Sequence, residues 1–140
     1  MLTDDVRVVG PYTGGSIALH EKFIEQNPEI TEEFVAGIAK AIEWTQVTSV
    51  EEVREFVVDY LTERDRTEGI ETIKFYKGAG IPTLGGWLRD EDFTLWLDWL
   101  EASGEVEKGA IEVEDLYTNE FNPSAEREEF VEGYEAQSKG

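Results

Sequence analysis

Apolar residues recur at helical spacing in three stretches of this chain, each bounded by residues that start or stop helices. In the first, Asn27 stands as N-cap, Pro28 occupies the first helical position and Glu29 follows just inside. Ile30, Phe34, Ile38, Ala41, Ile42 and Thr45 then share one face, predicting a helix over residues 28–46. In the second, Ser49 and Glu52 form a capping-box pair ahead of Val50, Val53, Phe56, Val57, Tyr60 and Leu61. This pattern predicts a helix over 50–62, ended by the charged run TERDRTEG. In the third, Asp90 caps a stripe of Phe93, Trp96, Leu97 and Leu100, and Gly104 stops it, predicting a helix over 91–103.

The remaining segments are shorter. Residues 6–9 and 16–19 read as strands separated by glycine-rich turns, and 21–26 as one or two helical turns. Residues 70–76 suit either a short strand or a distorted helix. Gly78, Gly80, Pro82, Gly85 and Gly86 mark a long irregular connection, and 111–121 is extended or irregular. Asn122-Pro123-Ser124 signals a last helix carrying Phe130, Val131 and Tyr134. The expected fold class is therefore mostly α with a few short strands. These strands are too few to make an ordinary sheet among themselves.

Charge narrows the function classes. The 140 residues carry 32 acidic and 12 basic side chains, a formal charge of −20. Nucleic acid is a poor partner, because phosphate contacts need clustered Lys and Arg. Anionic membrane surfaces are disfavoured for the same reason, and no apolar run suggests membrane insertion. With no cysteine, disulfides, thiolate metal sites and cysteine catalysis are excluded. The start, MLTDDVRVVG, lacks the basic end and apolar core of a secretory signal.

Little in the chain points to catalysis. GPYTGG and GAGIPTLGG place backbone N–H groups at turns, but neither matches a nucleotide-loop spacing. Their glycines are read as relieving turn strain. His20 is the only histidine and has neither an HExxH partner nor a triad. Glu112, Glu114 and Asp115 lack calcium-loop spacing and read as a solvated face. No catalytic residue, metal site or cofactor is therefore expected. Trp87, within the glycine-rich connection, is the tryptophan best placed to touch a ligand.

The order of these features resembles a known family. DVRVVGPYTGGSIALHEKFIEQNPEITEEFVAGIAKAIEW, then SVEEVREFVVDYLTE, then FTLWLDWLEASGEVEKGAIEVEDLYTNEF cover nearly the whole chain. Together they are similar to the C-terminal part of substrate-binding proteins of nitrate/sulfonate/taurine-type ABC importers, a group that includes thiamine-precursor binders. The first stretch resembles the return from the second lobe to the first, the middle a helix pair, and the last a closing helix with its tail.

The resemblance implies a non-enzymatic solute receptor, related to the C-terminal part of lobe 1 of the type II periplasmic-binding-protein α/β fold. It implies one partial or shortened domain over 1–140, with a hinge and strand segment at 1–20, a helical core at 21–104, and a tail with a closing helix at 105–140. The expected partners are a small-molecule ligand, where the full cleft is present, and an ABC permease. The expected location is extracytoplasmic, at the periplasm or cell surface. Ligand contacts are expected from Tyr12, Thr13, Gly14, Gly15 and Ser16, joined by Trp87 from the bottom-up reading. Much of the family's cleft is contributed by residues outside this stretch, so weak binding by the chain alone is expected. The charge favours a neutral or cationic ligand over an anion. The rival expectation is a stand-alone helical interaction domain without ligand binding, forming a homodimer through an open strand edge at 16–19 and uncovered apolar stripes.

Overall fold

The structure is a computed structural model, and it describes residues 15–131. Among these residues, four α-helices run α1 (Glu21–Gln26), α2 (Pro28–Val47), α3 (Val50–Glu63) and α4 (Glu91–Ser103). Short 3₁₀ turns sit at Ile73–Phe75, Leu84–Gly86, Val113–Asp115 and Ala125–Arg127. The chain is mostly helical, and the three long helices fall where the periodicity places them.

The caps form by a mixture of expected and unexpected means. Ser49 Oγ accepts from Glu52 N at 3.2 Å, as the capping pattern requires. Gly104 adopts a left-handed conformation, and Glu105 N donates back to Leu100 O at 3.0 Å, closing α4. Asn27 does not cap α2 with its side chain; its Nδ2 donates to Phe23 O at 3.0 Å. Its backbone carbonyl instead takes both Thr31 N and Thr31 Oγ1 at 2.9 Å. Asp90 likewise makes no side-chain cap on α4. His20 caps α1, its Nδ1 accepting from Lys22 N at 3.2 Å.

Three expectations change. Residues 16–19 are not a strand; they have no ladder partner among the described residues and run along the wall of a cavity. The helix after Asn122 is limited to the Ala125–Arg127 turn, because Glu128 takes a left-handed conformation (φ 48°) that a right-handed helix cannot continue. The chain then runs antiparallel to residues 82–84. Leu84 N donates to Glu129 O at 2.9 Å, Val131 N donates to Pro82 O at 2.8 Å, and Thr83 faces Phe130 across one isolated bridge. That bridge is the β-structure among the described residues, in place of a few short strands. The ambiguous 70–76 stretch resolves as a 3₁₀ turn held to α3, with Arg54 Nε and Nη2 both donating to Tyr76 O. The expected strand at 6–9 and Tyr134 lie outside the described residues.

The main packing contact joins α2 to the Leu84–Gly86 turn. From the apolar stripe it takes Ile42, which meets Gly86, and it otherwise uses Ala39 and Gln46. Thr31 and Ala39 are buried, whereas Ile30 and Phe34 are 55% and 43% exposed. A small residue is needed at the contact because the turn backbone comes very close. A Cβ on Gly85 would sit 2.3 Å from Ser124 Oγ, and one on Gly86 would sit 2.7 Å from Ile42 Cδ1. Both glycines also hold positive φ, at 69° and 72°.

Gln46 fastens this contact. Its Nε2 donates to Ile81 O at 3.1 Å and to Thr83 O at 2.9 Å, and its Oε1 accepts from Gly85 N at 3.0 Å. One half-buried amide thereby satisfies two carbonyls and an N–H of a loop with little regular structure. A further tie comes from Glu43, whose carboxylate pairs with Arg127 and lies near buried Ser124.

Replacing Gln46 leaves Gly85 N–H without its partner inside a buried turn. Gln46→Ala is expected to lower stability by about 2–3 kcal/mol, the cost of an unsatisfied buried group plus lost bonds. Urea unfolding should show a reduced midpoint, while Gln26→Ala on exposed α1 should shift it by less than about 0.5 kcal/mol.

Candidate functional site

The Gln46-clamped turn, α2 and the 118–122 segment enclose a cavity of about 810 Å³. One wall is the α2 face carrying Phe34, Val35, Ile38, Ala39 and Ile42. Opposite lie the glycine-rich connection and Trp87. Gly15, Ser16 and Leu19 border it from the N-terminal side, and Asp92, Thr118, Asn119 and Asn122 supply its polar end. This is the size range of small-molecule sites, with the usual largely apolar wall and few polar groups.

Three residues singled out from sequence, Gly15, Ser16 and Trp87, line this one cavity although about seventy positions separate the first two from the third. Tyr12, Thr13 and Gly14 lie outside the described residues. Trp87 presents a ring rather than a donor. Its Nε1 donates to Glu129 O at 3.0 Å, and its ring meets Phe130 edge-on at 5.4 Å. The indole is thus held from behind by the tail segment.

Asp92, Asn119 and Asn122 escaped the sequence reading. Asp92 is 4% exposed at the start of α4. Its Oδ2 accepts from Arg89 N at 3.0 Å and Nε at 3.3 Å, and its Oδ1 from Arg89 Nη2 at 2.6 Å. Asn119 pairs with the Leu88 backbone on both sides, Oδ1 accepting from Leu88 N at 2.9 Å and Nδ2 donating to Leu88 O at 2.7 Å. Asn122 accepts from Ser124 N at 2.9 Å and donates to Gly85 O at 3.3 Å. Two asparagines three apart in YTNEFNP were a visible signal. Their target, a loop some thirty-five residues upstream, was not.

The polar end is braced from outside by a ring pair. Phe93 of α4 stacks on Tyr117 with centroids 5.0 Å apart and planes at 6°. Tyr117 Oη donates to Asp90 Oδ1 at 2.8 Å. This pair sets the position of Thr118 and Asn119, which follow directly. Among the described residues, no three His, Cys, Asp or Glu side chains are grouped to hold a metal ion, and no helix is long and apolar enough to cross a membrane. No protein-family model, curated protein or solved structure matches the chain.

Tyr117 gives this end a spectroscopic marker. Partial burial, then the hydrogen bond and charge of Asp90, push its phenol up from 10.0 to about 12. The fold favours the neutral phenol, so its contribution is fully present below pH 10 and disappears as pH rises toward 12. Ultraviolet titration should show one of the five tyrosines ionising near pH 12. Tyr117→Phe should remove that step.

Proposed function

We propose that this chain is a non-enzymatic small-molecule-binding module, of the solute-receptor class that serves nitrate/sulfonate/taurine-type ABC importers. The observation that carries the reading is the convergence of Gly15, Ser16 and Trp87 on one cavity of about 810 Å³. The sequence resemblance supplies the receptor class, the related lobe of a type II periplasmic-binding-protein fold, an ABC permease as docking partner and an extracytoplasmic setting. The cavity supports the binding half of that reading. It offers an apolar wall on α2, an indole face opposite, and amides and hydroxyls at one end.

A thermal-shift screen of the chain with sulfonates, nitrate, bicarbonate, pyrimidines and small amines tests this. A ligand at a hundredfold excess over its Kd should add about 2.7 kcal/mol to stability, a shift of several degrees in Tm. Ile38→Trp, which fills the cavity from α2, should abolish that shift. A flat response to every compound would overturn the reading.

A second reading is favoured by one observation. Phe23, Ile30, Phe34, Phe56, Tyr60, Phe75, Trp96 and Trp99 are each more than 40% exposed. So many large apolar side chains in solvent suit an interaction domain that pairs with another copy. The −20 charge opposes pairing, but salt confines that repulsion to about 10 Å at 0.1 M. Light scattering at tens of micromolar should give a dimer mass at moderate salt under this reading. A monomer mass at both low and moderate salt removes it.

A further inference from the structure

The glycine-rich turn beside the cavity has the composition of an anion-binding nest, yet the backbone donors of residues 84–86, 88 and 89 are already engaged. Leu84 N donates to Glu129 O, Gly85 N to Gln46 Oε1 and Gly86 N to Thr83 O. Leu88 N then donates to Asn119 Oδ1, and Arg89 N to Asp92 Oδ2. An oxyanion reaching residues 84–89 would meet five backbone N–H groups already engaged with the protein's own acceptors. The Trp87 indole N–H is engaged as well, with Glu129 O.

The charged lining has the wrong sign for an anion. Among the described residues that form the cavity wall, the ionisable side chain is Asp92, and Lys and Arg are absent. Arg89 reaches Asp92 and balances its charge, its own side chain being 17% exposed. A carboxylate offers about four acceptor positions, and Arg89 fills three of those on Asp92. The other polar groups here are the Asn119 and Asn122 amides, whose O and NH2 each already make one bond to the protein, and the Thr118 hydroxyl; the positions they have left serve an uncharged ligand's polar atoms without a charge penalty. Trp87 lines the cavity as well, and an indole ring can attract a cation and pack on an apolar body.

We propose that this cavity takes an uncharged or cationic ligand bearing an N–H or O–H donor, and rejects oxyanions. Asp92 accepts the ligand's donor, and the apolar body lies between Trp87 and the Phe34–Ile38–Ile42 face of α2. The inference rests on the cavity being a ligand site, and it gives that site its charge class. Desolvating a sulfonate or carboxylate beside a buried carboxylate, with no Lys or Arg in the wall and the N–H groups of residues 84–86 already used, leaves its charge poorly compensated.

The test uses the whole chain and three probes of similar size: benzylammonium, benzyl alcohol and phenylmethanesulfonate. Isothermal titration at 0.15 M and 0.5 M salt separates local recognition from attraction by the −20 surface, which the higher salt screens. The expected result is at least tenfold tighter binding of the ammonium and the alcohol than of the sulfonate, at both salt concentrations, with Ile38→Trp abolishing it. Asp92→Asn should weaken the ammonium about tenfold and the alcohol less, with circular dichroism checking the fold. If that variant unfolds, the three-probe comparison on the native chain still decides the charge class. Sulfonate binding as tight as the others, and lost in Ile38→Trp, would overturn the charge class while leaving the cavity a binding site. A preference that vanishes at 0.5 M salt would also overturn it. No binding of any probe at 10 mM would overturn both readings.

Discussion

The structure depends on one side-chain amide. Gln46 projects from the last turn of α2 and makes the three hydrogen bonds that hold the Ile81–Gly86 backbone against the helix. Such a loop cannot satisfy its own polar groups, and leaving them buried without partners costs about 1–3 kcal/mol each. A helix surface with only apolar residues could not meet that demand. The amide carries donor and acceptor on one planar group, so it can serve carbonyls and an N–H in a single position. Gly85 and Gly86 complete the contact by allowing positive φ and by lacking the Cβ that would strike Ser124 or Ile42.

This clamp has consequences beyond the turn. With residues 81–86 pinned to α2, Trp87 and Leu88 are carried to the cavity, where Glu129 and Asn119 receive their N–H groups. The same arrangement engages the backbone N–H groups of residues 84–86 and 88. A stretch whose composition suggests an anion cradle becomes a structural seam, and the cavity beside it is left with neutral polar groups and one paired carboxylate. The hydrogen bonds that satisfy the fold therefore also set which polar groups the cavity presents.

The apolar inventory is distributed unusually. Ala39 and Val53 are the fully buried hydrophobic side chains among the described residues, while buried polar ones include Thr31, Thr83, Asp92 and Ser124. The large aromatics pack on one another at the surface. Trp44 meets Phe56 edge-on at 5.0 Å, Phe56 stacks on Tyr60 at 6.1 Å, and the Arg64 guanidinium lies 3.7 Å over the Tyr60 ring. This ladder ties α2 to α3 and ends in one of the chain's few cations. It shields part of the apolar area that a deeper core would otherwise hold.

What the sequence by itself determined was local. Helix spans over 28–46, 50–62 and 91–103 follow from period, caps and Gly104, because those signals act within four residues of each other. Trp87 was singled out from its place in the glycine-rich connection and Gly15 and Ser16 from the resemblance, but that the three line one cavity is a fact of the folded chain. Tertiary structure decided the rest. It buried Thr31 and Ala39 while leaving Ile30 and Phe34 largely in solvent, Ala39 lying where the Gly85 backbone comes close. It turned 129–131 from helix to a bridge partner of 82–84, because those loop carbonyls and N–H groups needed partners. It also brought Asp92, Asn119 and Asn122 to the cavity through hydrogen bonds that, for the asparagines, span more than thirty positions. No periodicity or cap records a bond of that reach; only the folded chain brings its two ends together.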